Sequence, residues 1–264
     1  MAIQMGAIQY IGSFKSIRNY RTKNDKRIFA GEKGGANGDL IKNNPAFKNT
    51  RLSENEFGGC ARAVKGIRLG FVKLIPEMVD YLFTSRLMKM TRRISILDKE
   101  GEMGKRQILF SAHRDFMRTI QFNKDIKTIE ACTRFLRDSH SDSRVENLLK
   151  VENLCLQGAK ISRAAEKYRL ISHLSIVSDY CYSEETRQYE PTNQLDTKCA
   201  YAYSDYMDPY TALNTEIKVS FPEGTVIGED CSVIHCVGIE FYVRNGSRGY
   251  EPTIGQSLEM INVY

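Results

Sequence analysis

Residues 168–177, YRLISHLSIV, place apolar side chains on both faces of one extended segment. Tyr168, Leu170, Ser172, Leu174 and Ile176 share one face, and Arg169, Ile171, His173, Ser175 and Val177 share the other. A strand that is apolar on both sides reads as a well-buried strand rather than a half-solvated one. Ile217, Val219 and Phe221 alternate as a second strand. Val233 to Arg244 forms a long third strand closed by Asn245-Gly246, a hairpin signal, and Leu258 to Tyr264 can return as its partner. From about residue 145 onward the chain therefore predicts an antiparallel sheet or sandwich.

The first half has a different period. Ile17 to Thr22 and Lys26 to Ala30 flank Asn24-Asp25 and predict a β-hairpin rich in Arg, Lys and Tyr. The glycines of AGEKGGANGD make the next segment a loop. Asn44-Pro45 reads as an N-cap with proline at the first helical position, opening a short helix that carries Phe47 and ends near Leu52. Ser53 and Glu56 have capping-box spacing ahead of a longer helix to about Leu74, with Phe57, Ala61, Val64, Ile67 and Phe71 on one face. Pro76 should break or restart that helix, and Val79, Leu82, Phe83, Leu87 and Met90 continue the pattern to about Ile94. Residues 98–106 read as a turn, Ile120-Gln121-Phe122 as strand-like, 125–137 as a short helix, and 138–144 as a polar linker. The expected fold is α+β: an N-terminal β-hairpin, central helices, and a C-terminal antiparallel sheet or sandwich. The expected domains are 1–137 and 145–264, with one compact domain as the alternative.

The residues EKGG at 32–35, GDLIKNNPAFKNTR at 38–51 and ENEFGGCARAVKGIR at 54–68 resemble a group of uncharacterised Bacteroidetes proteins, and GIEFYVRNGSRGYEP near the C-terminus has the same character. The resemblance implies lineage and an α+β layout, and no reaction. Within the motif, Phe47 and Phe57 are expected as apolar anchors, and Arg51 and Glu56 as an ion pair across the break between the two helices.

Catalytic and metal chemistry finds little support in the spacing. Lys33 is followed by Gly34 rather than Ser or Thr, so the glycine cluster is not a phosphate loop. Cys231, His235 and Cys236 lie close together without the paired spacing of a zinc site. His173 and Cys181 are too far apart along one strand to act as a nucleophile and base, and no GxSxG elbow is present. No catalytic, cofactor-binding or metal residue is therefore expected; a triad hidden from sequence stands as a third-ranked, enzymatic reading. The seven cysteines are scattered and odd in number, which argues against a disulfide framework and for a reducing, cytoplasmic setting. No apolar stretch approaches the ~18 residues needed to cross a bilayer, so no membrane span is expected.

What remains is charge. Residues 1–75 carry 14 Lys/Arg against 5 Asp/Glu, whereas 176–264 carry 5 against 14. A chain basic at one end and acidic at the other can bind copies of itself head to tail. Two segments suit such contacts. One is the basic hairpin with Arg18, Tyr20, Arg21, Lys23, Lys26, Arg27 and Phe29; the other is CAYAYSDYMDPY with Tyr201, Tyr203, Asp205, Tyr206, Asp208 and Tyr210. The expected function is a structural, self-assembling subunit of a tubule, filament or phage-like particle, a homo-oligomer that is not an enzyme. The alternative is a nucleic-acid-binding protein using the basic first two thirds.

Overall fold

The computed structural model describes residues 2–6, 8–22, 25–126, 128–156, 165–246 and 249–264. The fold is mixed α+β, and the chain divides into two units, Met1–Arg51 and Leu52–Tyr264.

The first unit is a small antiparallel sheet with a capped helix. Strands β1 (Ala2–Ile3), β2 (Gly12–Phe14), β3 (Ile17–Tyr20) and β4 (Phe29–Glu32) pair in the order β1-β4-β3-β2. The expected hairpin is present as β3 and β4, but Arg21, Lys26 and Arg27 lie in the connection rather than on strands. Lys23 and Asn24 fall outside the described residues. Helix α1 (Gly38–Asn43) starts where Asn37 accepts the Asp39 N–H at 2.7 Å. Asn44 then accepts the Ala46 N–H at 2.9 Å and opens a 3₁₀ turn, Pro45–Phe47, as the Asn-Pro pair predicts. Among the described residues of this unit only Ile28 and Asn19 are buried.

The second unit has three layers. Helix α2 runs without interruption over Lys48–Gly70, followed by α3 (Ile75–Met78) with Pro76 in its first turn, and α4 (Phe83–Leu97). A short helix α5 (Arg114–Met117) and a 3₁₀ segment, Glu130–Phe135, lead into the strands. These are β5 (Leu136–His140), β6 (Glu146–Leu154), β7 (Lys167–Ser178), β8 (Tyr180–Ser183), β9 (Gln188–Pro191), β10 (Cys199–Tyr203), β11 (Leu213–Ser220), β12 (Cys231–Arg244), β13 (Tyr250–Pro252) and β14 (Ser257–Val263). The central sheet has the order β10-β7-β12-β13, with β14 also on β12; β11-β6-β5 form a second sheet and β8-β9 a hairpin.

The two-faced strands explain the layering. On one face of the central sheet Ile171, Val177, Ile234 and Cys236 join Val64, Ile67, Phe71, Met78, Leu87 and Ile94 in a helical core. On the other face Tyr168, Leu170, Val237, Ile239 and Phe241 pack with Leu149, Val151 and Ile217 of the second sheet. Leu174, Ile176 and Val233 pack with Val219 and Phe221 in a neighbouring cluster. Each large side chain buried this way contributes roughly 1.5–3 kcal/mol.

Several local expectations are corrected. The Asn44 cap and the turn after it feed directly into α2, so Ser53 lies inside the helix and caps nothing. The buried stripe of α2 is Glu56, Gly59, Cys60, Ala63, Val64, Gly66, Ile67 and Gly70. Phe57 is 59% exposed and Ala61 is also exposed, because the stripe is built on small residues. A Cβ at Gly59 would overlap the Tyr189 ring, and one at Gly66 would meet the Tyr180 hydroxyl and the Asp196 carboxylate. Arg51 and Glu56 do not pair. Arg51 donates to the Ile41 and Asn44 carbonyls at 2.6 and 3.0 Å. Glu56 is fully buried, paired with Arg92, and accepts the Gly104 N–H at 2.8 Å. Ile120 and Phe122 are buried loop residues, not strand. The 125–137 helix shrinks to the 3₁₀ segment. The polar segment 138–144 is no linker: it contains the end of β5 and the turn into β6, with Arg144 at φ 61°.

Candidate functional site

Strand β10 lies at the edge of the central sheet and positions a cluster of exposed aromatic rings. Its alternation turns Ala200 and Ala202 toward the packed clusters of the second sheet and leaves Cys199, Tyr201 and Tyr203 exposed on the opposite face. Tyr201 lies 6.4 Å, nearly parallel, from His173, which in turn stacks on Phe71 at 4.9 Å. The Lys73 ammonium sits 4.6 Å from the Tyr201 ring centroid and also hydrogen-bonds its hydroxyl, a contact that raises the Lys73 pKa. Tyr203 meets Tyr201 edge-on at 5.7 Å.

The next rung is Arg169. Its guanidinium stacks 3.8 Å above Tyr203 and lies 5.2 Å from Tyr242 and 5.5 Å from Tyr206. Cross-strand register places Arg169 opposite Glu240, and the two form an ion pair at 2.8 Å. Tyr242 donates its hydroxyl proton to the same carboxylate; burial first, then Glu240, push the Tyr242 pKa up, so the phenol stays protonated. The loop after β10 is pinned by reciprocal backbone bonds between Met207 and Tyr168, 2.8 and 2.9 Å. That pinning brings Tyr206 perpendicular to Tyr242 at 4.9 Å and next to Tyr250 at 5.5 Å.

The result is a continuous ladder, Lys73–Tyr201–Tyr203–Arg169–Tyr242–Tyr206–Tyr250. Amphipathic rings around a neutralised guanidinium suit protein contact, because they offer large area at small ordering cost. Of the expected residues, Tyr201, Tyr203 and Tyr206 join the ladder. Asp205, Asp208 and Tyr210 are exposed in the loop, where Asp208 accepts the Tyr210 N–H at 2.8 Å. Sequence reasoning missed Arg169, Glu240, Tyr242, Tyr250 and Lys73. For Arg169 and Glu240 the available signal was a charged residue within each of two long, mostly buried strands.

The basic segment of the first unit is organised locally. Arg18 lies 5.9 Å from the Tyr20 ring, Arg27 lies 5.7 Å from Phe29, and Tyr20 and Phe29 are 5.9 Å apart. Arg27 also pairs with Asp25 at 2.6 Å, and its hydrogen bonds hold the Asp25 carboxyl down to about 2. Arg21 and Lys26 are exposed.

A Ser–His–Asp chain does exist, hidden from sequence. Ser172 Oγ lies 2.9 Å from His235 Nε2, and His235 Nδ1 lies 2.9 Å from Asp138 Oδ1, a close contact without the alignment of a hydrogen bond. Asn147 and Asn262 donate to the two Asp138 oxygens. Ser172 and His235 are fully buried in central strands between the two sheets, so no substrate carbonyl reaches the hydroxyl in this conformation. Burial works to raise the Asp138 pKa; the His235 contact and the two amides outweigh it and hold the carboxyl down to about 2. Among the described residues no group of three His, Cys, Asp or Glu is arranged to hold a metal ion, and no helix is long and apolar enough to cross a membrane. An open cleft beside Tyr264 contains Arg114 and Arg144, but both guanidiniums are committed to backbone, meeting at the Cys231 carbonyl at 3.3 and 2.8 Å. No family model, no curated protein and no solved structure matches the chain.

Proposed function

We propose that this chain is a structural subunit that assembles with copies of itself, the basic first unit of one copy resting on the aromatic ladder of the next. One observation carries the reading: the first unit has almost no core of its own. Among its described residues Ile28 is the one buried apolar side chain, while Met5, Ile8, Ile11 and Phe14 are 59–89% exposed. A unit of this size with so little buried apolar surface needs a partner surface to be stable. Residues 1–51 carry 10 Lys/Arg against 3 Asp/Glu, opposite in sign to the acidic last third. A tubule or filament follows if the head-to-tail rotation does not close, and a ring if it does.

Nucleic acid is the competing partner for the same basic surface. The exposed apolar side chains beside the basic residues favour a protein surface, because phosphate contact alone needs none. The test is sedimentation and negative-stain imaging of the native protein at low and high salt. Concentration-dependent assemblies that weaken with salt are expected. A strict monomer under every condition, with salt-sensitive retention of RNA or DNA, overturns the assembly reading in favour of the nucleic-acid one.

A further inference from the structure

We infer that copies join by main-chain β-addition: the outer edge of β10 takes the edge strand β2 of a second copy. This rests on the self-assembly reading and specifies how the seam is made.

The hydrogen-bond parity of β10 is fixed at both ends. Ile176 N–H donates to Lys198 C=O at 2.8 Å, and Ser204 N–H donates to Leu170 C=O at 3.0 Å. Residues 198 and 204 therefore face β7, and in an antiparallel pair every second residue between them does the same. Cys199, Tyr201 and Tyr203 then direct their N–H and C=O groups away from the sheet. Among the described residues none of the three has a backbone partner on that side.

Three other free edges in this unit, β13, β5 and β11, carry protection that β10 lacks. β13 is three residues long and ends in Pro252. β5 carries Arg137 and turns the charged Asp138 inward. β11 exposes Glu216 and Lys218, each paired with a β6 charge. Proline and inward or alternating charge are usual protections against edge pairing. CAYAY has no charge, no proline and no bulge, and its tyrosines favour the extended state.

The occupant is argued from the first unit. β2 ends the order β1-β4-β3-β2, so its outer edge is open among the described residues. Its hairpin pairs Phe14 with Ile17 and Gly12 with Asn19, which leaves the Ser13 backbone pointing outward. Phe14 is 62% exposed and Ile11, just before the strand, 59%. Three residues apart, Ile11 and Phe14 fall on opposite faces of an extended strand, so one of them comes beside Tyr201 and Tyr203. The added strand brings a basic unit next to Asp205 and Asp208. Backbone bonds supply affinity and the side-chain pairs supply register.

Hydrogen–deuterium exchange of the full-length protein across a concentration series tests this directly. On assembly, amides in 199–203 and 12–14 should gain protection together, by at least tenfold in exchange rate. Two proline variants give a second readout: Cys199→Pro and Ser13→Pro each remove one outward N–H, at positions where an edge tolerates proline. Each should weaken association at least tenfold while the thermal midpoint of the unassembled protein holds. Assembly without new protection at 199–203 overturns the strand-addition inference and leaves self-assembly standing. Protection of both segments in a strict monomer places the strand within one chain and overturns it too. A monomer with neither segment protected overturns both readings.

Discussion

Replacing Asp138 with Asn should destabilise the protein at neutral pH by about 2.5 kcal/mol, and the loss should fade as the medium becomes acid. Asp138 projects from β5 into the space between the sheets, where it meets His235 of β12, Asn147 of β6 and Asn262 of β14, with the Tyr264 hydroxyl on Asn147. Its side chain is 10% exposed, so solvent screens these contacts little. They hold the carboxyl at about 2, against its ordinary 3.8. A depression of nearly two units corresponds to about 2.5 kcal/mol, at ~1.36 kcal/mol per unit. The folded pKa lies below the unfolded one. The stability is therefore present in full above pH 3.8 and is lost as pH falls toward 2. Urea unfolding of the wild type and of Asp138→Asn at pH 7, 4, 3 and 2 provides the assay. The gap between the two midpoints should be constant from pH 7 to about 4 and should narrow steeply below it. Using the difference removes Asp25, Asp80 and Asp98, whose carboxyls are also held low in the folded protein. A gap of the same size at pH 2 as at pH 7 would refute the reasoning, because the loss would then come from shape and not from charge.

Glu56→Ala leaves the Gly104 N–H unsatisfied at a buried site and takes the partner from Arg92, which is 30% exposed, and should cost about 1–3 kcal/mol in urea unfolding. Gly59→Ala should lower the melting temperature, although alanine gains roughly 1 kcal/mol of helix propensity, because the new methyl overlaps the Tyr189 ring. Arg169→Ala removes the stack on Tyr203 and leaves Glu240 without its cation; sedimentation should show association weakened by about a hundredfold or less, in the range of ~1–3 kcal/mol for an interface anchor.

The layered core was legible because its cause is local. Apolar residues on both faces of 168–177 and 233–244 require cover on both sides, whatever the cover is. The Asn245-Gly246 turn and the Asn44-Pro45 helix entry were legible for the same reason, since a few neighbouring residues decide them. The helix face of α2 was misread because its packing rests on Gly59 and Gly66, where the partner side chain comes to the backbone and no apolar residue advertises it. Segment 138–144 looked like a linker because its polar residues serve a hairpin turn and a buried network whose partners, His235 and Asn262, lie a hundred residues or so along the chain. Tyr201, Tyr203 and Tyr206 were visible as a tyrosine run. Arg169 with Glu240 and Tyr242 needed the β7–β12 register before they became part of a site.

That register also sets an order of events. β7 and β12 pair from Cys231 with Ser178 at one end to Tyr242 with Lys167 at the other, so the central ladder closes a long loop before it gains its bonds. Among the described residues β10 has β7 as its one ladder partner, so its backbone is held as a strand by β7. Before β7 is in place, Cys199–Tyr203 lack the partner that orders them as a strand edge. If the seam forms there, polymerisation waits on completed folding, and the slowest folding step acts as a checkpoint that keeps unfinished subunits out of the growing assembly.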